Sequence, residues 1–320
     1  MKQTFVFLVC GCVLFLAVSC QRGAAPDNKQ QTIALVLKTL NNPFFIDMQK
    51  GAKEAAQKLG VNLTVQAAER EVDVEKQMQI IENLIETKVA ALCITPSGSK
   101  EVVPAIVKAN KAGIPVIIVD TRVNPEAAQA AGAQTAGFIG SDNLDGGRVA
   151  GTFVAKILDG KGKVAILEGI PGHETGDSRL KGFREIVAKN PGMQIVSSQT
   201  ANWERDQGFN VFQNMLQAHP DIQALFACSD LMALGAVEAI AAAGRTGKVH
   251  VVGFDAFSEA REAVMKGTMN ATIAQSPADM GRTAVENAVK VLKGEKINTD
   301  ISLGVTLITK ENAAVKTAGN

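Results

Sequence analysis

Short apolar runs alternate with helical periodicity along most of the chain, beginning at residue 32. The first series of runs covers residues 33–37, 61–65, 90–94, 116–119 and 135–139, and the second covers 164–167, 194–197, 224–227, 249–253 and 271–274. Uninterrupted apolar runs, as opposed to alternating ones, indicate strands that are buried on both faces of a parallel sheet. The pattern therefore predicts an α/β fold.

Between these runs, apolar residues recur at intervals of three and four, which is the period of an amphipathic helix. In residues 43–59 the side chains of Phe45, Met48, Ala52 and Leu59 share one face. Pro43 suits the first helical turn, where the N–H group that proline lacks has no partner within the helix. The sequence therefore predicts a helix over 43–59.

Two successive series of five β–α units predict two similar lobes, each a doubly wound parallel sheet. A chain of about 300 residues also exceeds what one simple core usually holds. We expect the first lobe to end near residues 140–141, just before a predicted helix over 143–158. Ligands bind beyond the carboxyl ends of the strands in such sheets, so the residues that follow each strand are the candidate site.

The N-terminal segment has the features of a secretory signal. Lys2 precedes an almost unbroken apolar run over 4–18, which is too short to favour a membrane-spanning helix. The residues before Cys20 resemble a bacterial lipobox, although Ala17 stands where leucine is usual. We expect residues 1–19 to be a lipoprotein signal peptide, Cys20 to be lipidated and residues 20–31 to form a tether. Secretion without a lipid is the alternative.

Composition excludes several classes of partner. The formal net charge is +1, and the sequence contains no cluster of basic residues of the kind that binds nucleic acid. Cys93 and Cys228 lie within apolar runs, where we expect small buried hydrophobes, with a disulfide between them as the alternative. The three histidines are far apart, and no metal-ligand spacing occurs. We therefore expect no metal and no cofactor.

The predicted strand ends carry aromatic and polar side chains in both halves of the chain. They are Lys38, Asn42, Phe44, Phe45, Asp120, Thr121 and Arg122 in the first half and Arg179, Trp203, Ser229, Asp255 and Gln275 in the second. A sugar needs apolar ring surface for its C–H groups and planar polar groups for its hydroxyls. The structural alternatives are a core position for Phe45 and a turn cap for Asp120.

Two residues of the second half are unusual for purely structural roles. Arg179 falls in the first turn of a predicted helix, where the helix dipole disfavours a cation. Trp203 is the only tryptophan of the chain and lies in a polar setting, so we interpret it as a stacking platform opposite the phenylalanine pair. Together the strand ends predict a polar cleft, lined with rings, between the lobes.

Several segments in combination resemble the ribose/allose-type sugar-binding proteins of bacterial ABC importers, which have the type I periplasmic binding protein fold. The segments are TIALVLKTLNNPFF, GIPVIIVDTR, TANWERDQG, AHPDIQALFACSDLMALGA, VHVVGFDA and ATIAQSPADMG. The resemblance extends over about residues 32–310. It implies a hinge of three crossings, with residues 32–140 and 276–303 in the N-terminal lobe and 141–275 and 304–320 in the C-terminal lobe.

The resemblance also implies roles for the strand-end residues. The residues that match ligand positions of the family are Asn42, Phe44, Phe45, Asp120, Arg179, Trp203, Asp255 and Gln275. Lys38 matches the allose-type branch. Thr121 stands where the ribose branch has arginine, and Ser229 stands where the family has asparagine. The shorter Ser229 leaves room in the site, which favours a hexopyranose such as allose over ribose.

By the same resemblance, the protein is not an enzyme and lies in the periplasm or outside the cell. It captures a monosaccharide by lobe closure and delivers it to an ABC permease, with a chemoreceptor as a further partner that the sequence leaves open. We expect a monomer that binds no nucleic acid and touches the membrane only through the lipid on Cys20.

The sequence favours this function over three others. A DNA-binding repressor of the lactose-repressor type shares the lobes but needs a helix-turn-helix module where this chain has its signal-like segment. A glycoside hydrolase needs two carboxylates at a set separation, and the sequence does not set the separation of Asp120, Glu174 and Asp255. Within binding proteins, a sugar alcohol, a furanose or a cyclic autoinducer remains an alternative ligand.

Overall fold

The computed structural model describes residues 31–314 and Met1. Residues 2–19 of the predicted signal peptide, the lipidation position Cys20 and the predicted tether up to residue 30 lie outside the described residues. The strands are β1 (Thr32–Thr39), β2 (Asn62–Ala68), β3 (Ala91–Ile94), β4 (Val116–Val119), β5 (Gly137–Ser141), β6 (Lys161–Glu168), β7 (Gly192–Thr200), β8 (Ala224–Ala227), β9 (His250–Asp255), β10 (Ala271–Ala274), β11 (Asp300–Leu303) and β12 (Thr306–Ile308).

Helices follow all but the last two strands. They are α1 (Pro43–Leu59), α2 (Val74–Glu86), α3 (Val103–Lys111), α4 (Pro125–Ala131), α5 (Asn143–Ile157), α6 (Glu174–Ala188), α7 (Arg205–Ala218), α8 (Asp230–Ala242), α9 (Ser258–Lys266) and α10 (Pro277–Leu292). The prediction for α1 is confirmed: Asn42 caps the helix through its side chain, Pro43 opens it, and Phe45, Met48 and Ala52 are buried. The face ends before Leu59, which is exposed in the last turn.

Two six-stranded sheets repeat one topology. The first has the order β2-β1-β3-β4-β5-β11 and the second the order β7-β6-β8-β9-β10-β12. All neighbours pair in parallel except β12, which runs antiparallel to β10. The first five strands of each sheet, in chain order, follow the doubly wound order 2-1-3-4-5. The predicted α/β fold with two similar parallel-sheet lobes is therefore confirmed.

The chain crosses between the lobes three times, as predicted. After β5 it enters α5, which packs against α6 of the second lobe, and after β10 it enters α10, which packs against α1 of the first. The third crossing joins β11 to β12. A Cβ atom on Gly281 of α10 would lie 2.0 Å from the carbonyl oxygen of Met48 in α1, so this helix pair packs backbone to backbone. The residue boundaries assigned to each lobe remain a prediction.

The two cysteines of the described region are buried in different lobes. Cys93 lies in β3, Cys228 follows β8, and both thiols are free. Burial raises the pKa of each thiol to about 12. They therefore act as small hydrophobes, and the alternative of a disulfide between them is wrong. Over residues 31–314 no helix is long and apolar enough to cross a membrane.

Candidate ligand-binding cleft

A cavity lies where the carboxyl ends of the two sheets meet. It is lined by Lys38, Asn42, Phe44, Phe45, Glu71 and Asp120 from the first lobe and by Thr175, Arg179, Trp203, Ser229, Asp255 and Gln275 from the second. The volume of this cavity is about 30 Å³. The lining residues are buried, and even the Asp255 side chain is only 6% exposed. The lobes are thus closed over the cavity, and each supplies half of its wall.

The first lobe contributes a cation between two carboxylates. The Lys38 Nζ atom lies 3.4 Å from Asp120 Oδ2 and 3.8 Å from Glu71 Oε2. Both distances exceed those of charge-assisted hydrogen bonds, so these groups attract one another while keeping hydrogen-bonding capacity for a ligand. Burial raises the pKa of Glu71, and Lys38 opposes this shift. Glu71 also accepts a hydrogen bond of 3.0 Å from the Asn42 side chain.

The second lobe holds Arg179 in one orientation. Its Nε atom donates to Asn143 Oδ1 at 2.8 Å, and its Nη1 atom donates to the carbonyl oxygen of Cys228 at 2.7 Å. The guanidinium carbon lies 3.8 Å from the centre of the Phe254 ring. Asp255 Oδ1 is 3.6 Å from Nη1, close enough for attraction but too far for a strong hydrogen bond. The arginine is therefore preorganised, with donor capacity left for the cavity.

Asp255 and Gln275 present acceptors beside this arginine. Gln275 Nε2 donates to Asp255 Oδ1 at 2.7 Å, whereas Gln275 Oε1 is buried without a hydrogen-bond partner among the described residues. Burial raises the pKa of Asp255, and Arg179 opposes the shift. A buried acceptor without a partner is costly, so Gln275 Oε1 indicates that a donor group completes the site.

Aromatic rings form two walls of the cavity. Phe44 and Phe45 pack edge to face with ring centres 5.2 Å apart. On the second lobe the Trp203 ring packs closely against Gly169, where a Cβ atom would stand 1.9 Å from the indole. Such rings can cover the C–H faces of a bound ring.

Backbone strain is concentrated at the same strand ends. Asp120 has a φ of 64°, Trp203 of 67° and Asp255 of 119°, and their neighbours Asn202 and Ala256 are also left-handed. Non-glycine residues in this region cost free energy, and they persist where the surrounding structure needs a particular side-chain direction. The backbone strain is therefore a second observation, separate from the cavity itself, that identifies these strand ends as a functional site.

Comparison with known proteins agrees with this geometry. The family model described as periplasmic binding protein domain matches residues 33–296. The chain belongs to the periplasmic binding protein family. It is 41% identical to the ribose import binding protein of Escherichia coli K12 over 88% of this chain and 92% of that protein. It is 37% identical to the D-allose-binding periplasmic protein of the same organism, over 82% and 85%.

Among solved structures, a solute-binding protein of an ABC transporter from Actinobacillus succinogenes 130z, with bound D-allose, has a TM-score of 0.85 and 42% identity. The match covers 89% of this chain and 99% of that one. Proteins of this family bind solutes in the periplasm and are not enzymes. The predictions that this chain is a binding protein without enzymatic activity, and that it lies outside the cytoplasm, are therefore confirmed.

Ten of the twelve side chains predicted for the ligand site of this periplasmic binding protein line the cavity. Thr121 does not: it is fully buried, and its hydroxyl donates to Asp120 Oδ2 at 2.8 Å. It therefore orients Asp120 from behind. Arg122, which was also predicted to bind the ligand, does not line the cavity either. Arg122 donates to both carboxylate oxygens of Asp300, at 2.7 and 3.2 Å, and stacks on Phe138 outside the cavity.

Sequence reasoning missed two lining residues, Glu71 and Thr175. The run that predicted β2 ended at residue 65, whereas β2 continues to Ala68. Glu71 therefore lay too far from the predicted strand end to be noticed, although the strand-end rule applied to the longer strand would have found it. Thr175 lies one helical turn before Arg179 in α6, and this i, i+4 spacing was its only signal.

Proposed function

We propose that this periplasmic binding protein captures a monosaccharide between its lobes and delivers it to the permease of an ABC importer. The observation that carries the proposal is a single cavity to which each lobe contributes six residues. The carboxylates can accept hydrogen bonds from hydroxyls, Lys38 and Arg179 can donate them, and the rings can cover the faces of a pyranose. Such a mixture suits a small, neutral ring with many hydroxyls.

The charges of the cavity favour a neutral ligand over a charged one. The carboxylates of Glu71, Asp120 and Asp255 are arranged around the cations of Lys38 and Arg179. A buried ion requires a partner of opposite charge, and here the ions already attract one another. A neutral sugar can bond to all five without adding a charge that must be compensated.

Within sugars, we propose a hexopyranose such as D-allose. Lys38 is buried in the cavity, at the position that the allose-type resemblance assigns to the ligand, and Ser229 places a short side chain on the opposite lobe. Relatives named for ribose and for D-allose support a pentose or hexose as the ligand.

Thermal unfolding with candidate sugars tests this function. A ligand that binds only the folded state at 100 times its dissociation constant adds about 2.7 kcal/mol to the free energy of unfolding. We expect D-allose to raise Tm most, ribose less, and the recovered sugar to be chemically unchanged. A larger rise with ribose or with myo-inositol would reassign the ligand. No rise with any pentose, hexose or polyol would refute the proposed function.

We also propose that the chain is a monomeric lipoprotein held to the membrane through Cys20, and that the permease is its principal partner. The N-terminal pattern described above supports the anchor. A Cys20→Ser variant should move from the membrane fraction to the soluble periplasmic fraction, and persistence in the membrane fraction would contradict the anchor.

Ser229→Asn is expected to shift ligand preference towards ribose. Ser229 caps α8 by accepting a hydrogen bond from the Met232 N–H at 3.4 Å, and asparagine is an equally good cap, so the fold should persist. The asparagine side chain would occupy the space that the shorter serine leaves beside the ligand, and its planar amide would add one donor group and one acceptor. We expect the ratio of ribose to allose affinity to rise about tenfold, measured by calorimetry. Ser229→Thr is the control, and an unchanged ratio in Ser229→Asn would contradict the prediction.

Sugar binding is expected to release protons near neutral pH. In the closed, ligand-free protein, burial raises the pKa of Asp255 to about 7, so part of this population carries a proton there. A hydroxyl that donates to Asp255 favours its charged form and lowers this pKa in the complex. Affinity should therefore be full above the free-protein pKa and decline as the pH falls through it.

Calorimetry in two buffers with different ionisation enthalpies measures this release, because each proton transferred adds the buffer's enthalpy to the observed heat. Asp255→Asn, although it weakens binding, should abolish the difference between the buffers. An affinity that is constant between about pH 5 and 8 would contradict the prediction.

A further inference from the structure

His173 is a buried imidazole that lies behind the cavity wall and hydrogen-bonds to both lobes. It immediately precedes α6 in the second lobe and is only 3% exposed. The indole Nε1–H of Trp203 donates to its Nδ1 atom at 3.3 Å. Its Nε2 atom lies 2.7 Å from the carbonyl oxygen of Ser97, which belongs to the β3–α3 loop of the first lobe. One ring therefore contacts a wall of the ligand cavity and the opposite lobe.

The two partners define the protonation state of this ring. The indole N–H can only donate and the carbonyl oxygen can only accept, so a neutral ring with its proton on Nε2 satisfies both. Burial and the nearby positive charge of Lys38 lower the pKa of His173 to about 3. The neutral tautomer is therefore the form present at neutral pH.

The acceptor on the first lobe is held rigidly. Ser97 N–H donates to Gln77 Oε1 at 2.8 Å, and Gln77 Nε2 donates to the carbonyl oxygens of Leu37 and Thr95 at 3.2 and 2.9 Å. Leu37 directly precedes Lys38 on β1. The buried side-chain amide of Gln77 thus links Ser97 to β1, the strand that carries the cavity residue Lys38. The Ser97 carbonyl oxygen is therefore held in a fixed position where it can accept a hydrogen bond from His173.

We propose that His173 is a positioning residue for ligand capture, which couples the orientation of Trp203 to closure of the lobes. Its bond to Ser97 joins the lobes and must break when they separate, whereas its bond to Trp203 lies within one lobe and persists. Closure therefore adds a hydrogen bond to the same ring that orients the indole against the ligand. This inference rests on the proposed function, because it concerns how the sugar is retained.

The expected effect is on ligand release. A bond present only in the closed state slows opening, and differences in affinity within one binding site arise mostly in the dissociation rate. His173→Leu removes both hydrogen bonds and should speed sugar dissociation about tenfold, with a smaller change in the association rate. His173→Gln keeps one donor and one acceptor on a flexible chain and should restore part of the slow release.

Stopped-flow fluorescence measures these rates without a label, since Trp203 is the only tryptophan of the chain. The probe is D-allose, or the sugar that gives the largest thermal shift with the unaltered protein. Thr268→Val is the matched control: it removes a hydrogen bond of 3.1 Å to the Ala263 carbonyl, which lies within the second lobe, and Thr268 does not line the cavity. It should lower Tm and leave the dissociation rate unchanged.

The outcomes separate the inference from the proposed function. If no sugar binds the unaltered protein, the proposed function is wrong. If sugar binds but both His173 variants release it at the rate of the unaltered protein, the inference is wrong and the function stands. A fall in Tm with no change in release would show a purely structural histidine. Non-additive effects of His173→Leu and Trp203→Phe on sugar affinity, measured by calorimetry because Trp203→Phe removes the fluorescent residue, would confirm that the two residues act together.

Discussion

Replacing Asp120 by asparagine is expected to weaken sugar binding about 100-fold while the protein stays folded. The carboxylate can accept two hydroxyl donors, whereas the amide offers a single acceptor oxygen and no charge. The buried Lys38, 3.4 Å away, also loses an attractive partner. Asparagine tolerates the φ of 64° at this position, so the backbone need not move.

Calorimetric titration with D-allose and thermal unfolding of the same samples check this prediction. Asp120→Ala should bind as weakly and also lose stability, because alanine in the left-handed region costs about 1 kcal/mol or more. An affinity within threefold of that of the unaltered protein, in either variant, would remove Asp120 from the ligand site.

Arg179→Lys is expected to have a still larger effect, with a loss of about 1,000-fold in affinity. Lysine cannot reproduce the planar fork that bonds to Asn143 and to the Cys228 carbonyl, and it cannot stack on Phe254 in the same way. Asp255 would also lose its fixed cationic neighbour. Arg179→Ala should bind as weakly and should unfold at a lower temperature, because it leaves buried acceptors without donors.

Arg122→Lys is a matched control for this prediction. Arg122 also bonds to a carboxylate and stacks on a phenylalanine, but it does so outside the cavity and is partly exposed. We expect sugar affinity to be unchanged and the free energy of unfolding to change by about 1 kcal/mol or less. Equal losses of affinity in Arg122→Lys and Arg179→Lys, or near-normal binding in the Arg179 variants, would contradict the assignment of the two arginines.

The comparison of these two arginines shows where sequence reasoning stops. Both residues lie after a predicted strand, Arg122 directly beyond it and Arg179 within the helix that follows, and the residue type is the same. Arg122 is drawn away from the cavity by Asp300 on β11, a strand 178 residues further along the chain. No local pattern contains that partner, because the contact exists only once β11 has joined β5 in the first sheet.

Central and edge strands also differ in how well the sequence predicts them. The buried central strands are uninterrupted apolar runs, so their positions follow directly from the sequence. The edge strands β11 and β12 are short and half exposed, with Asp300 and Thr306 at their starts, and the apolar pattern did not predict them. Their pairing depends on the sheet that is already in place.

The amino-acid sequence by itself determined the α/β class, the two similar lobes and most side chains of the cleft. It could do so because burial imposes apolar runs on parallel strands and because a doubly wound sheet presents its strand ends along one edge. Only the tertiary structure decided which of those side chains enter the cavity. It also brought together Glu71 with Lys38 and His173 with Ser97. These contacts depend on the packing of distant segments and on closure of the lobes, and such geometry has no counterpart in the local order of residues.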